Sequence, residues 1–325
     1  MFATLKVQLS LSRPYLTRNE LQQAYKNTIP DRRSYMQRKL VIFKFMSDIC
    51  VQFQFPRKTL ETAFYYYQRY YVFNKFETEM CHTVATTALL LSCKQVETFK
   101  KINELCIVSF RLRNINNINQ DIIENFKKRI FQVELRLLEA CCFDYRVNNR
   151  IHIDEYIVKF GKHLGFTYEL CHLSWVISYD ILKTDLLLIL PQHTIALAIL
   201  KVAFELLKLK DWPVNDYEKF KTNNDSINEA YFGVLNYYIN AFDSCNLKDH
   251  TSSKFPPVSL EVFMQLKANS SPETGLKDFT MKETEEDKYL TTARDFTQRE
   301  RRYVLSSKFV KEENAIINAK KRKLK

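Results

Sequence analysis

The chain has 325 residues, 46% of them hydrophobic and 14% aromatic, with only 4 Gly and 8 Pro. That length holds roughly two domains with cores of their own, and so few turn-forming residues exclude a sheet-rich fold; an all-α protein is expected. A net charge of +12 leaves nucleic acid, an anionic membrane and an acidic protein open as partners.

Taken in order, residues 1–33 read as an N-terminal arm: LSRPYLT is extended around Pro14, and Thr17 with Glu20 three positions on has the form of a capping box for a short helix RNELQQAYKN. A strong helix starts at Ser34 and ends before Pro56. The next, from Pro56, places Leu60, Ala63, Phe64, Tyr67, Tyr71 and Phe73 at helical spacing, which predicts one face to bury. Met80 to Cys93 then runs fourteen residues without a charge, with Ala85, Ala88 and Ser92 as a stripe of small side chains. An uncharged helix belongs inside a ring of others, and small residues let its neighbours come close. The run stops at Lys94, with Glu97, Lys100 and Lys101 following. A shorter helix is expected around Ile102 to Arg111 and a long one from Asp121 to Cys142.

After FDYRVNN the pattern begins again, with helices over His152 to Leu164 and Tyr168 to Thr184 and a third opening at Pro191. His82, Thr83, Val84 and Ala85 match His193, Thr194, Ile195 and Ala196 at an offset of 111. Phe131, Val133, Leu138 and Ala140 match Phe232, Val234, Ile239 and Ala241 at an offset of 101. Two tandem five-helix units, over 34–148 and 149–245, explain both offsets. Residues 246–325 are polar and poorly periodic and read as a basic, partly disordered tail, with short helices at Leu260 to Ala268 and Arg299 to Phe309. Removing that tail is expected to leave both units intact. It ends in KKRKLK, a candidate nuclear import signal.

Chemistry is scarce along the chain. The eight cysteines, at 50, 81, 93, 106, 141, 142, 171 and 245, show no C-x-x-C spacing and lie mostly in apolar runs, which predicts buried thiols in a reducing compartment. The adjacent pairs Cys81–His82 and Cys171–His172 are badly placed for chelation on a helix, so no metal is assigned. Gly-rich phosphate loops and nucleophile elbows are absent from the sequence, and no cofactor and no enzymatic activity are expected. Lys6 and Arg13 interrupt any secretory signal, and the longest other uncharged run, Leu186 to Leu200, contains Pro191 and falls short of the ~20 residues that span a bilayer. A soluble intracellular protein without a membrane partner is expected. The tyrosines of FYYYQRYY, interleaved with Arg69, are read as core and partner contacts, and direct nucleic-acid stacking is not expected.

Three motifs carry a family resemblance. FYYYQRYY (64–71) resembles the second helix of transcriptional cyclins, SCKQVETFKK (92–101) the end of their third, and VELRLLEACCFDYRV (133–147) their fifth. A tandem pair of five-helix units is also similar to the cyclin fold. The resemblance covers residues 11 to 245, and with RPYLTRNELQQA (13–24) and RERRYVL (299–305) it narrows to the cyclin-like subunits of fungal kinases acting on the C-terminal domain of RNA polymerase II. It implies a nuclear regulatory subunit in transcription elongation. Its partners would be a cyclin-dependent kinase catalytic subunit and a third subunit, with the polymerase C-terminal domain as substrate of the complex. It implies that Lys94 and Glu134 hydrogen-bond the backbone around the kinase's C-helix, with Glu97, Lys100 and Lys101 as further contacts; the alternative for the pair is an intramolecular surface salt bridge, worth ~0 to 1 kcal/mol. At the second-unit equivalents stand Glu205 and Leu235, so only the first unit has the pair. Gln95 and Val96 replace the adjacent glutamates common in the family, and Met36, Gln37, Arg38, Lys39, Leu40 and Phe43 break up the apolar first-helix patch through which cell-cycle cyclins dock substrates. The alternative is a DNA-binding general transcription factor with the same tandem fold, a class that usually carries an N-terminal zinc ribbon.

Overall fold

The structure, a computed structural model, describes residues 15–141, 143, 151–249 and 258–270. Twelve α-helices and four 3₁₀ turns make up the described residues, which contain no strand. They fall into two compact units divided between Tyr145 and Arg146.

The first unit is α1 (Arg18–Thr28), α2 (Arg32–Gln52), α3 (Arg57–Phe73), α4 (Cys81–Gln95), α5 (Ile102–Leu112) and α6 (Gln120–Ala140). The capping box forms as expected: Thr17 Oγ1 accepts from Glu20 N at 3.2 Å, and Thr17 N donates to the Glu20 carboxylate at 2.8 Å. Asp31 caps α2 by accepting from Arg33 N and Ser34 N, so this helix starts two residues before Ser34. Asn119 caps α6 through Ile122 N at 2.8 Å. The arm is joined to the unit: Thr28 Oγ1 donates to Tyr71 O at 2.7 Å, and Tyr25 packs on Tyr35.

The α4 helix is the buried hub that its composition predicts, with Ala85, Ala88 and Ser92 fully buried. The α3 helix departs from expectation. Every residue from Thr59 to Phe73 is buried, so it has no exposed face. It lies among α1, α2, α4 and α6. Arg69 Nε donates to Ala140 O at 3.0 Å, satisfying one of the open carbonyls at the end of α6, while its guanidinium lies over Phe73.

The second unit is α7 (Ile153–His163), α8 (Tyr168–Ile181), the short α9 (Leu186–Ile189), α10 (Gln192–Leu206), α11 (Asn224–Ala241) and α12 (Leu260–Asn269). The two offsets hold in space: α4 and α10 begin 111 residues apart, and α6 and α11 end 101 apart. The place of a fourth helix is taken by residues 207–223, whose only regular piece is a 3₁₀ turn over Glu218–Phe220. Trp212, Tyr217 and Phe220 from this connection pack on Leu197, Val214 and Ile227, and the Trp212 indole N–H donates to Tyr217 Oη. Aromatic loop residues thus do the covering that a helix does in the first unit.

The fold of this unit also continues past Cys245. Asp180 on α8, fully buried, accepts from Lys183 Nζ at 2.8 Å, from Asn246 N and Leu247 N, and from Tyr238 Oη at 3.2 Å. Beyond it, α12 packs on α11 with Phe263 fully buried. The expected short helix at Leu260 is present, but over 246–249 and 258–270 the chain is packed onto the second unit rather than hanging from it as a separate tail. The other expected tail helix and KKRKLK lie outside the described residues.

Scarce glycine shows at the helix ends. Six-to-one bonds close α2 (Phe55 N to Cys50 O), α4 (Thr98 N to Cys93 O), α5 (Ile115 N to Phe110 O), α7 (Phe166 N to Gly161 O) and α10 (Leu209 N to Phe204 O). The left-handed residue in these turns is Gln54, Glu97, Asn114, Gly165 and Lys208, so four of the five carry a Cβ where glycine is the unstrained choice.

Three consequences are measurable. Asp180→Ala removes the carboxylate from buried Lys183 and is expected to cost about 3 to 5 kcal/mol in urea unfolding. Gln54→Gly should raise stability by about 0.5 to 1 kcal/mol, the relief of left-handed strain less glycine's unfolded-chain entropy. His82, half-buried edge-on against Phe45, is lowered from 6.5 to about 4 by burial and by Arg113 and Arg38. The unfolded chain therefore binds this proton first, and stability present above pH 6.5 drains as pH falls from 6.5 toward 4. A His82→Gln chain is expected to lose less over that interval in pH-dependent denaturation.

Candidate functional site: the α4–α6 surface

The end of α4 and the middle of α6 meet at the surface of the first unit. Lys94 Nζ donates to Glu134 Oε1 at 2.6 Å, with the Lys94 side chain 48% exposed and that of Glu134 13%. The two residues that the resemblance paired are thus bonded to each other across 40 positions of sequence. They sit at a shallow cavity of about 460 Å³ lined by Leu91, Lys94, Gln95, Glu134 and Leu138.

The local sequence explains the placement. The uncharged α4 crosses the unit, and Lys94 is its first charged residue, in the last turn, where a cation also suits the helix dipole. On α6, Ile123, Phe126, Ile130, Val133 and Leu137 face the core, which turns Phe131, Glu134, Leu135 and Leu138 toward the opposite flank at i, i+3, i+4 and i+7. Phe131 and Leu135 are about half exposed, and Phe99, just beyond the end of α4, is 70% exposed. Large apolar side chains are thus exposed on, or just beyond, the elements that carry the charge pair.

The remaining sequence candidates lie on the connection between α4 and α5. Glu97 is exposed in the left-handed turn that ends α4. Lys100 extends its ammonium over the Phe53 ring at 5.5 Å, toward the end of α2 and apart from the Lys94 pair. Lys101 is the N-cap residue of α5, and its carbonyl accepts from Leu105 N. All three are exposed, and none of these contacts joins them to the pair.

Two residues that support the site escape a reading by periodicity. Tyr66 Oη donates to Gln95 Oε1, so the residue standing where the family has a glutamate is drawn inward to α3. Arg69 fixes the C-terminal end of α6. An arginine inside an uncharged aromatic run was the available signal for the second. The site is also asymmetric between repeats. Glu205, at the place of Lys94, accepts a hydrogen bond from Tyr231 Oη, and Leu235, at the place of Glu134, is fully buried.

Among the described residues no group of His, Cys, Asp or Glu is arranged to hold a metal, and no helix is long and apolar enough to cross a membrane. The seven described cysteines are free, and all except the half-buried Cys171 are buried.

The family model for the cyclin N-terminal domain matches residues 13–146. The chain is 55% identical over 316 residues to the CTD kinase subunit beta of Saccharomyces cerevisiae, covering 97% of this chain and 98% of that one. It is 26% identical to the CTD kinase subunit beta of Schizosaccharomyces pombe, over 62% and 61% of the two chains. The crystal structure of the yeast RNA Pol II CTD kinase CTDK-1 complex contains a chain that matches with a TM-score of 0.85 and 54% identity, over 93% of this chain and 98% of that one. With an all-helical fold, a repeat in the cyclin register and these relatives, the chain belongs to the cyclin family, among the beta subunits of CTD kinases.

Proposed function

We propose that this chain is a non-catalytic, cyclin-like regulatory subunit that binds and activates a cyclin-dependent Ser/Thr kinase phosphorylating the C-terminal domain of RNA polymerase II, and that the kinase docks on the α4–α6 surface. The observation that carries the docking site is the Lys94–Glu134 pair at the rim of an apolar cavity, present in the first unit and replaced in the second. The partner and substrate follow from the relatives named above. They do not favour the DNA-binding alternative.

The chemistry fits such a role. An ammonium has three donors, and one is used on Glu134, leaving two for carbonyls at the end of a partner helix or loop. The carboxylate keeps lone pairs for partner amides, and charge-assisted bonds of this kind outweigh neutral ones. Phe99, Phe131 and Leu135 supply apolar area around the polar pair, the arrangement of an interface hot spot. A kinase C-helix held there is pushed inward, and its glutamate reaches the ATP-binding lysine of an otherwise open site. This subunit contributes position to the reaction, and all bond making stays in the kinase. Glu97, Lys100 and Lys101 are proposed as rim contacts, which act more on association rate than on affinity. A third subunit in the complex and a nuclear location, served by KKRKLK, belong to the same reading.

Co-expression of the full chain with its kinase tests the docking surface. In the Lys94→Ala, Glu134→Ala double variant the chain's own stability should change by about 1 kcal/mol, because the pair lies at the surface with the Lys94 side chain half in water. Affinity for the kinase and phosphorylation of a polymerase-repeat peptide should fall by at least tenfold, as expected for losing even one charge-assisted bond of about 1.5 to 3 kcal/mol. A folded double variant that associates and activates like wild type would remove the kinase from this surface.

A further inference from the structure

The internal repeat predicts where the second unit has its own version of the docking face: α10 stands for α4 and α11 for α6. In the first unit that face is open, with Phe131 and Leu135 about half exposed. In the second unit α12 packs along α11 and meets that face at Asn236. Phe263 is fully buried and stacks on the Tyr238 ring at 4.4 Å with the planes 10° apart, while the Phe242 ring stands at 6.3 Å. One turn later Lys267 Nζ donates to Asn236 Oδ1 at 2.7 Å, and Asn236 holds the position that Leu135 has in the first unit. At the end of the helix Ser270 Oγ lies 3.0 Å from Tyr231 Oη, the hydroxyl that donates to Glu205, the counterpart of Lys94.

These contacts, at 263, 267 and 270, run along one side of a helix. They form an aromatic anchor, an ammonium four positions on and a hydroxyl at seven, the spacing of helix-in-groove recognition. The helix has ten residues, fewer than the ~12 to 15 that an isolated helix needs to be even marginal in water, so its order comes from docking. Residues 250–257 separate it from the rest of the unit, and its far side leaves Met264 exposed. The groove is longer than its occupant: beside the last turn of α12 a cavity of about 420 Å³ remains, lined by Lys201, Glu205, Lys208, Tyr231 and Leu266 among others.

We propose that α11 carries a helix-binding groove occupied in cis by α12, with Phe263 as its anchor, and that detachment of α12 exposes that groove. Its ligand class is a short amphipathic helix with a buried aromatic residue, and in this chain the occupant is residues 258–270. The inference stands independently of which kinase, if any, the first unit binds.

The test uses the full chain, wild type and Phe263→Asp, titrated against a fluorescent peptide of residues 258–270. In wild type the tethered helix competes at an effective concentration on the order of mM, so the peptide should bind weakly. In Phe263→Asp, where a carboxylate cannot enter the aromatic socket, the peptide should bind saturably and at least about tenfold more tightly. The peptide carrying the same substitution should fail to bind. Equal titration of the two folded chains overturns the proposal. Should Phe263→Asp not fold, hydrogen exchange of the wild-type chain decides. Amides of α12 exchanging at least about tenfold faster than those of α10 and α11 support a detachable occupant, and exchange in step with α11 makes α12 an inseparable part of one cooperative unit and ends the idea.

Discussion

The close approach of α3 and α4 is the constraint on which the first unit depends. Ala63 on one helix and Ala85, Ala88 and Ser92 on the other are fully buried, and Ser92 Oγ reaches the backbone carbonyl of Thr59 at 2.7 Å. With α4 so near on one side and α1, α2 and α6 around it, α3 retains no wet face. A polar group left unpaired on a helix in that position costs on the order of 1 to 3 kcal/mol, so the bonds that do form there matter. Those bonds hold the unit together: Arg69 to the end of α6, Tyr66 to the end of α4, and Tyr71 O to Thr28 of the arm. Lys94 and Glu134 meet because the two helices carrying them are each tied to α3 near their ends.

Much of this was legible before any coordinates. Helix positions, the small-residue stripe and the repeat offsets follow from periodicity, because the helices are long and their apolar spacing is regular. The capping box at Thr17 follows from a local rule that needs only four residues. What escaped was tertiary. The amphipathic pattern of α3 suggested a single buried face, because periodicity counts apolar residues and cannot see that Glu61, Gln68 and Arg69 are also enclosed. The missing fourth helix of the second unit was hidden for the same reason, since Trp212, Tyr217 and Phe220 supply the burial without helical spacing. The attachment of 246–249 and 258–270 rests on Asp180 and on one aromatic stack, both too far away in sequence for any window to register. For the site, charge placement at the end of an uncharged helix marked Lys94, while the choice of Glu134 as its partner came from family resemblance and could not have come from spacing.

The two units show one helical plan carrying opposite surfaces. In the first, the seam between the hub helix and the last helix is rimmed by exposed Phe99, Phe131 and Leu135. In the second, Asn236 and Tyr238 of the last helix touch α12, and Tyr231 touches Ser270 at its end. The two helices thus differ in what covers them: α6 leaves Phe131 and Leu135 exposed, and α11 is partly covered by α12.

The thiols give the chain a property unrelated to partners. Burial pushes Cys93 and Cys106 up to about 11 and raises Cys50 and Cys245 as well, so at neutral pH almost none of these sulfurs is a thiolate in the folded state. Since the thiolate is the reactive form, burial shields these four thiols from alkylating reagents, and each becomes reactive once the structure around it opens. Cysteines spread from α2 to the end of the second unit thus act as built-in gauges of local opening, and the order in which they react would report which unit comes apart first.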